Sequence, residues 1–148
     1  MSFDVFLTCN TLGAPRQSSG AAVLELLRSR RHRGPDEFGF YVVECNGAGA
    51  VEFSARGLSA NEPLQSCAFH IRRFSPDVAQ LVYDVARAAG MTIDAALDND
   101  AVLTVEADLD PGTLKNQRIL AVGSAAELTA VLRASFEKWA ACGDFPRG

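Results

Sequence analysis

Residues 38–74 read FGFYVVECNGAGAVEFSARGLSANEPLQSCAFHIRRF, and the alternation within this stretch decides the fold. Phe38 to Cys45, Val51 to Arg56 and Cys67 to Phe74 are rich in aromatic and β-branched residues, as strands are. In the last of them Cys67, Phe69 and Ile71 point one way while Ala68, His70 and Arg72 point the other. Asn46-Gly47, the dipeptide that best accepts the positive φ angles of a tight turn, joins the first two, and Ala48-Gly49 lengthens the loop slightly. Three strands in succession with no helix between them predict an antiparallel meander.

The flanking segments extend this pattern. Upstream, Phe3 to Cys9 is a strand with Phe3, Val5, Leu7 and Cys9 on one face and Asp4, Thr8 and Asn10 on the other. Gly13, Ala14 and Pro15 break it, and Ser18-Ser19-Gly20 opens a short helix striped by Val23, Leu24 and Leu27. Downstream, Ser75-Pro76-Asp77 combines a capping hydroxyl, proline at the first helical position and a carboxylate at the positive end of the dipole. Val78, Leu81, Val82, Val85, Ala86 and Ala89 follow at helical spacing, and Gly90 supplies the stop. Met91 to Leu97 and Ala101 to Leu109 predict a hairpin around Asp98-Asn99-Asp100, and Ile119 to Val122 a short strand. Ser124 and Glu127 form a capping box before a last helix faced by Leu128, Val131, Leu132, Phe136 and Trp139, and 143–148 is a frayed tail. The order βαβββαββ(β)α predicts one α+β domain, with a mainly antiparallel sheet and about three helices packed on one face.

At 148 residues, 48% apolar and 22% charged, the chain is long enough for a single packed core. The opening Met1-Ser2-Phe3-Asp4 has no basic leader region, and no apolar run approaches the roughly 18 residues of a membrane span, so a cytoplasmic protein is expected. Cys9, Cys45, Cys67 and Cys142 are far apart, with no C-x-x-C pair and no histidine at zinc-ligand spacing. They are expected to be small buried residues, and no metal or cofactor is called for. The net charge of −4 is uneven: residues 1–75 hold 8 basic and 7 acidic side chains, residues 76–148 hold 6 and 11. This balance argues against nucleic acid as a partner, which requires a basic face.

Residues 94–110 contain Asp94, Asp98, Asp100, Glu106, Asp108 and Asp110 and no base. On a strand from Ala101 to Leu109 that buries Leu103, Val105, Ala107 and Leu109, alternation sets Glu106 and Asp108 together on the solvent face, with Asp110 following. Such a stripe serves as a solvated face that discourages edge pairing, as a docking surface for a basic protein, or as a cation site. The spacing fails the EF-hand template, which needs an oxygen ligand where Val102 stands and glycine where Leu103 stands. Asp98, Asp100, Glu106, Asp108 and Asp110 are therefore the candidate partner-binding residues. Arg28, Arg30, Arg31, His32 and Arg33 cluster where the first helix ends, suiting its negative pole.

No catalytic residues are assigned. The only histidines are His32 and His70, and strand parity sets His70 on the opposite face from Cys67. Gln17-Ser18-Ser19-Gly20-Ala21-Ala22 matches the loose Q-x-x-G-x-A loop of acetyl-CoA-dependent N-acetyltransferases, but there the loop follows a central strand and here it follows the first.

Met1-Ser2-Phe3-Asp4-Val5-Phe6, the Ser75-Pro76 helix ending at Gly90-Met91, and Gly123-Ser124-Ala125-Ala126-Glu127-Leu128 resemble a group of small uncharacterised bacterial proteins that begin MSFDVF. In overall character alone, compact, acidic and single-domain, the chain also resembles immunity proteins that neutralise a toxin. The expectation is a non-enzymatic binding protein, possible roles running from neutralising a basic partner through the acidic strand to a small-molecule- or acyl-CoA-binding enzyme or a structural subunit of a homo-oligomer. The last of these predicts an apolar surface patch.

Overall fold

The computed structural model describes residues 2–8, 20–55, 58, 64, 66–95, 102–104 and 119–143. Within them the chain runs β1 (Phe3–Thr8), α1 (Ala21–Arg28), β2 (His32–Arg33), β3 (Phe40–Cys45), β4 (Gly49–Ser54), β5 (Ser66–Ile71), α2 (Pro76–Ala89), β6 (Thr92–Asp94), β7 (Val102–Thr104), β8 (Ile119–Ala121) and α3 (Ala125–Gly143). The strands form one sheet in the order β2-β3-β4-β5-β1-β6-β7-β8. The α+β class and the β3-β4-β5 meander are as the sequence predicts. The first strand is inserted between β5 and β6, pairing antiparallel with both.

Details differ from the sequence expectation: β5 ends at Ile71, short of Phe74, and Gly143 still belongs to α3. Arg31 to Arg33 do not merely trail the first helix: His32 and Arg33 form the two-residue edge strand β2 against Val42 and Val43. β8 runs parallel to β7, so the sheet is antiparallel everywhere except at that edge. The first meander strand begins at Phe40, two residues late, because the Asp36 carboxylate takes the N–H groups of both Phe38 and Phe40 at 2.9 Å and folds residues 36–39 into a turn.

α2 shows why the local signals succeed. Ser75 is extended at φ −148° and its hydroxyl accepts from Val78 N–H at 3.4 Å, while Gly90 takes the left-handed φ of +64° with its N–H returned to the Ala86 carbonyl. The helix buries Val78, Ala79, Leu81, Val82, Val85, Ala86 and Ala89. Each large side chain among these contributes about 1.5–3 kcal/mol by leaving water. At the start of α3, Ser124 accepts from Glu127 N–H at 3.2 Å, but the Glu127 carboxylate reaches back to Gly123 N–H at 2.8 Å, one residue before the serine.

The Asp77 carboxylate ties the helical layer to the sheet. It accepts two bonds from Arg30, at 2.9 and 3.1 Å, and one from Asn46 N–H at 2.8 Å, joining the end of α1, the β3–β4 turn and the start of α2. Partial burial opposes its ionisation, but these donors outweigh that and hold its pKa below the usual carboxylate range. All three helices contribute to one continuous core with the inward residues of the strands. Cys45 and Cys67 are buried, as expected for small apolar side chains, and burial pushes the Cys45 thiol up to about 11. Cys9 lies outside the described residues. Among the described residues no helix is long and apolar enough to cross a membrane.

Candidate functional site on the open sheet face

Because side chains alternate along each strand, the residues between the core positions line the face away from the helices. The register arranges them in two rows across the strands. One row is Arg33, Val42, Glu52, His70 and Asp4, carried by β2, β3, β4, β5 and β1. The next is Phe40, Ser54, Ala68, Phe6 and Asp94, carried by β3, β4, β5, β1 and β6.

Apart from Val42 the first row is polar, and His70 and Asp4 within it are paired. His70 Nδ1 lies 2.9 Å from Asp4 Oδ1, and the Ser2 hydroxyl donates to the same oxygen at 2.6 Å. Partial burial works against the Asp4 charge, but the Ser2 and His70 contacts prevail and hold its pKa below the usual carboxylate range. An ionised Asp4 can only accept, so Nδ1 carries the ring proton, and in the neutral ring Nε2 offers its lone pair. Nε2 lies 3.5 Å from the Ser54 hydroxyl. Aspartate, histidine and serine thus meet through the atoms an acyl-transfer relay uses. The last link is at the outer limit of a hydrogen bond. Ser54 is also paired on both sides of its strand, so its backbone offers no free amide to a developing oxyanion. Beside this relay Arg72 bonds Glu52 at 3.0 Å.

The second row is aromatic at its flanks and small in its middle. Phe40 and Phe6 stand on either side of Ser54 and Ala68, and the 36–39 turn adds Phe38 at the same end. Together with Glu37, Thr8 and Ser66 they line a groove of about 900 Å³. Phe6 is 49% exposed and Phe38 is 75% exposed, the large apolar side chains most open to solvent among the described residues. Phe38 is not loosely held. Besides the Asp36 carboxylate bonds, Asp36 N–H donates to the Phe40 carbonyl at 2.9 Å and Gly39 N–H to the Asp36 carbonyl at 3.1 Å.

No family model, curated protein or solved structure matches this chain.

The candidate residues chosen from sequence, Asp98, Asp100, Glu106, Asp108 and Asp110, lie outside the described residues, as do Gln17 to Ser19 of the loop compared with acetyltransferases. Asp94, from the same acidic stretch, is described, and it closes the aromatic row beside Phe6. Sequence parity correctly separates His70 from Cys67 but misses Asp4 and Ser54, which reach the ring from neighbouring strands. The basic cluster after α1 is divided in function: Arg30 binds Asp77, Arg31 lies 3.8 Å from Glu44, and Arg28 pairs with Glu25 at 2.7 Å. Among the described residues no cluster of histidine, cysteine and carboxylate side chains is grouped to hold a metal ion.

Proposed function

We propose that this chain is a non-enzymatic binding protein of the cytoplasm, acting through protein–protein contact on the open face of its sheet. The observation that carries the proposal is the exposure of Phe6 and Phe38, 49% and 75%, on backbone fixed by the sheet ladder and by the Asp36 turn, beside a groove of about 900 Å³. Rigid, exposed aromatic side chains around small residues lose little conformational entropy on contact and supply most of the energy at protein interfaces. An immunity-like role, the neutralisation of a basic partner or toxin, is the form of this function that the net charge of −4 favours.

Two surfaces can then be separated by capture of a basic partner protein on the tagged chain. Docking on the open face predicts that Phe38→Glu weakens capture by about tenfold or more, as removal of an interface anchor does. It also predicts that charge reversal at Glu106, Asp108 and Asp110 leaves capture unchanged. The opposite pattern transfers the site to the acidic segment, and no effect from either set removes the proposal.

A second function, ester hydrolysis, is favoured by the Asp4–His70–Ser54 relay beside the groove. It predicts turnover of p-nitrophenyl acetate that Ser54→Ala and His70→Ala abolish. Equal rates for the three proteins exclude it.

A further inference from the structure

The groove on the open face is lined by aromatic rings and hydrogen-bond acceptors and is set in an acidic surface. Resting on the proposal that this face docks a basic protein, we infer that the group it seats is an arginine side chain of that partner, its guanidinium stacked on an exposed phenylalanine and its N–H groups directed at Glu37 and the Ser54 hydroxyl.

The charge of the face is unbalanced. Parity sets Arg31, Arg33 and Arg72 on it, against Asp4, Glu44, Glu52 and Asp94 on the strands and Asp36 and Glu37 in the adjoining turn. Two of the arginines are taken up within the face, Arg72 by Glu52 at 3.0 Å and Arg31 by Glu44 at 3.8 Å, and none of the three lines the groove. Asp4 keeps its charge, because Ser2 and a neutral His70 bring it hydrogen bonds without an opposing charge, and the backbone amides do the same for Asp36. Each exposed phenylalanine also has a carboxylate as neighbour: Glu37 precedes Phe38 and lines the groove with it, and Asp94 stands opposite Phe6 in the strand register. A field of this sign at an aromatic surface favours a cation.

The hydrogen-bonding polarity of the floor points the same way. The ionised Asp4 holds the His70 proton on Nδ1, so Nε2 accepts and the Ser54 hydroxyl, 3.5 Å away, is the donor. With its hydrogen committed, Ser54 Oγ offers the groove lone pairs alone. Glu37 can only accept, and Phe6, Phe38 and Phe40 present negative ring faces. A ligand that satisfies these groups brings both positive charge and donors.

Among the cations a protein carries, the guanidinium meets both conditions at once. It is planar, stacks on aromatic rings and holds five N–H donors at its edge, whereas the lysine ammonium is a compact, strongly hydrated point charge. Phe40 and Phe6 stand three strand spacings apart, about 14 Å, so a cation is not enclosed between them and rests on one ring. The weakly hydrated face of a guanidinium gives up less water in that contact than an ammonium does.

A capped Gly-Arg-Gly peptide and its lysine and citrulline counterparts, each titrated to about 10 mM into the isotope-labelled whole chain, test the inference by amide chemical shifts. Citrulline keeps the planar shape and loses the charge. At about 0.05 M NaCl, where screening is weak, the arginine peptide is expected to shift Glu37, Phe38 and Ser54 and to bind about threefold or more tightly than the lysine peptide, with no binding of the citrulline peptide. Glu37→Gln and Phe38→Ala each weaken the arginine peptide by about threefold or more. Both positions are exposed, and circular dichroism verifies that each variant is folded. Glu137→Gln, which removes the same charge from the exposed side of α3, leaves binding unchanged. No shift up to about 10 mM, equal affinity for lysine or citrulline, or indifference to both groove variants overturns the inference. If it is overturned while Phe38→Glu still loses capture of a basic protein, docking on this face survives without an arginine anchor. If Phe38→Glu also leaves capture unaltered, both are removed.

Discussion

On the helix side of the sheet Val5, Leu7, Val43, Phe53, Phe69 and Ile71 are completely buried, whereas Phe6, one residue along β1 from two of them, is 49% exposed. The strands are shared and only parity differs. The covered face gives each aromatic side chain a close neighbour, with Phe53 and Phe69 at 4.7 Å between ring centroids. On the open face Phe6 and Phe40 flank the small residues Ser54 and Ala68, and Phe40 has the His70 ring 5.8 Å away. The contrast teaches that alternate residues of the same strands carry the core and the proposed docking face, so substitutions at neighbouring positions should report on different processes.

The largest effect therefore belongs to the covered face. Phe53→Ala removes a fully buried ring and is expected to cost about 3–5 kcal/mol in urea unfolding, the sum of lost burial and the cavity left behind. Phe38→Ala, at 75% exposure, is expected to stay within about 0.5 kcal/mol. A cost for Phe38→Ala close to that of Phe53→Ala would mean that the open face is part of the core, and the contrast would collapse.

The next effect lies where the helical layer meets the sheet. Asp77→Ala loses the paired bonds to Arg30 and the bond to Asn46 N–H, and leaves a partly buried guanidinium without its carboxylate. Hydrogen bonds to charged groups of this kind are worth about 1.5–3 kcal/mol, and a loss of that size is expected near pH 7. Its pH dependence has a definite sign. The folded-state pKa of Asp77 is lowered, so its contribution is present above the unfolded carboxylate value of about 3.9 and is lost as pH falls through the folded value. Unfolding curves of wild type and Asp77→Ala should converge in acid, and a constant gap down to about pH 2 would assign the loss to packing instead.

How much of this was legible in the sequence depends on whether a feature is local. The ends of α2 could be read because Ser75, Pro76 and Gly90 act on backbone within one turn of themselves. The β3–β4 hairpin could be read because Asn46-Gly47 lies between alternating strands. Insertion of β1 between β5 and β6 leaves no local trace, and neither does the parallel pairing of β8. The candidate site depends on those distant pairings. Asp4 and His70 are 66 residues apart and become neighbours only in the β1–β5 register, and Ser54 reaches the same ring from β4. Parity alone placed Asp4 and His70 on the polar faces of their strands, but not on strands that touch. Phe6, which interrupts an otherwise polar outer side of β1, was the available hint that this face is not simply solvated.

The smallest effect tests the polar row of the open face against the partly buried Asp77 tie. Asp4→Asn removes a charge whose partner His70 is close, at 2.9 Å, but the Asp4 side chain is 39% exposed and water screens the pair. The amide oxygen can still accept from Ser2 and His70, so the expected loss is about 0.5 kcal/mol near pH 7, in the range of exposed ion pairs. Because the folded pKa of Asp4 is lowered, this small contribution is also present above the unfolded value of about 3.9 and lost as pH falls through the folded one. Raising NaCl to about 0.5 M should shrink it further, since screening acts on exposed pairs first. Urea unfolding of Asp4→Asn and Asp77→Ala, side by side at low and high salt, therefore ranks the two carboxylates by burial. An Asp4→Asn loss that equalled the Asp77→Ala loss and ignored salt would show that the polar row is shielded from water in solution.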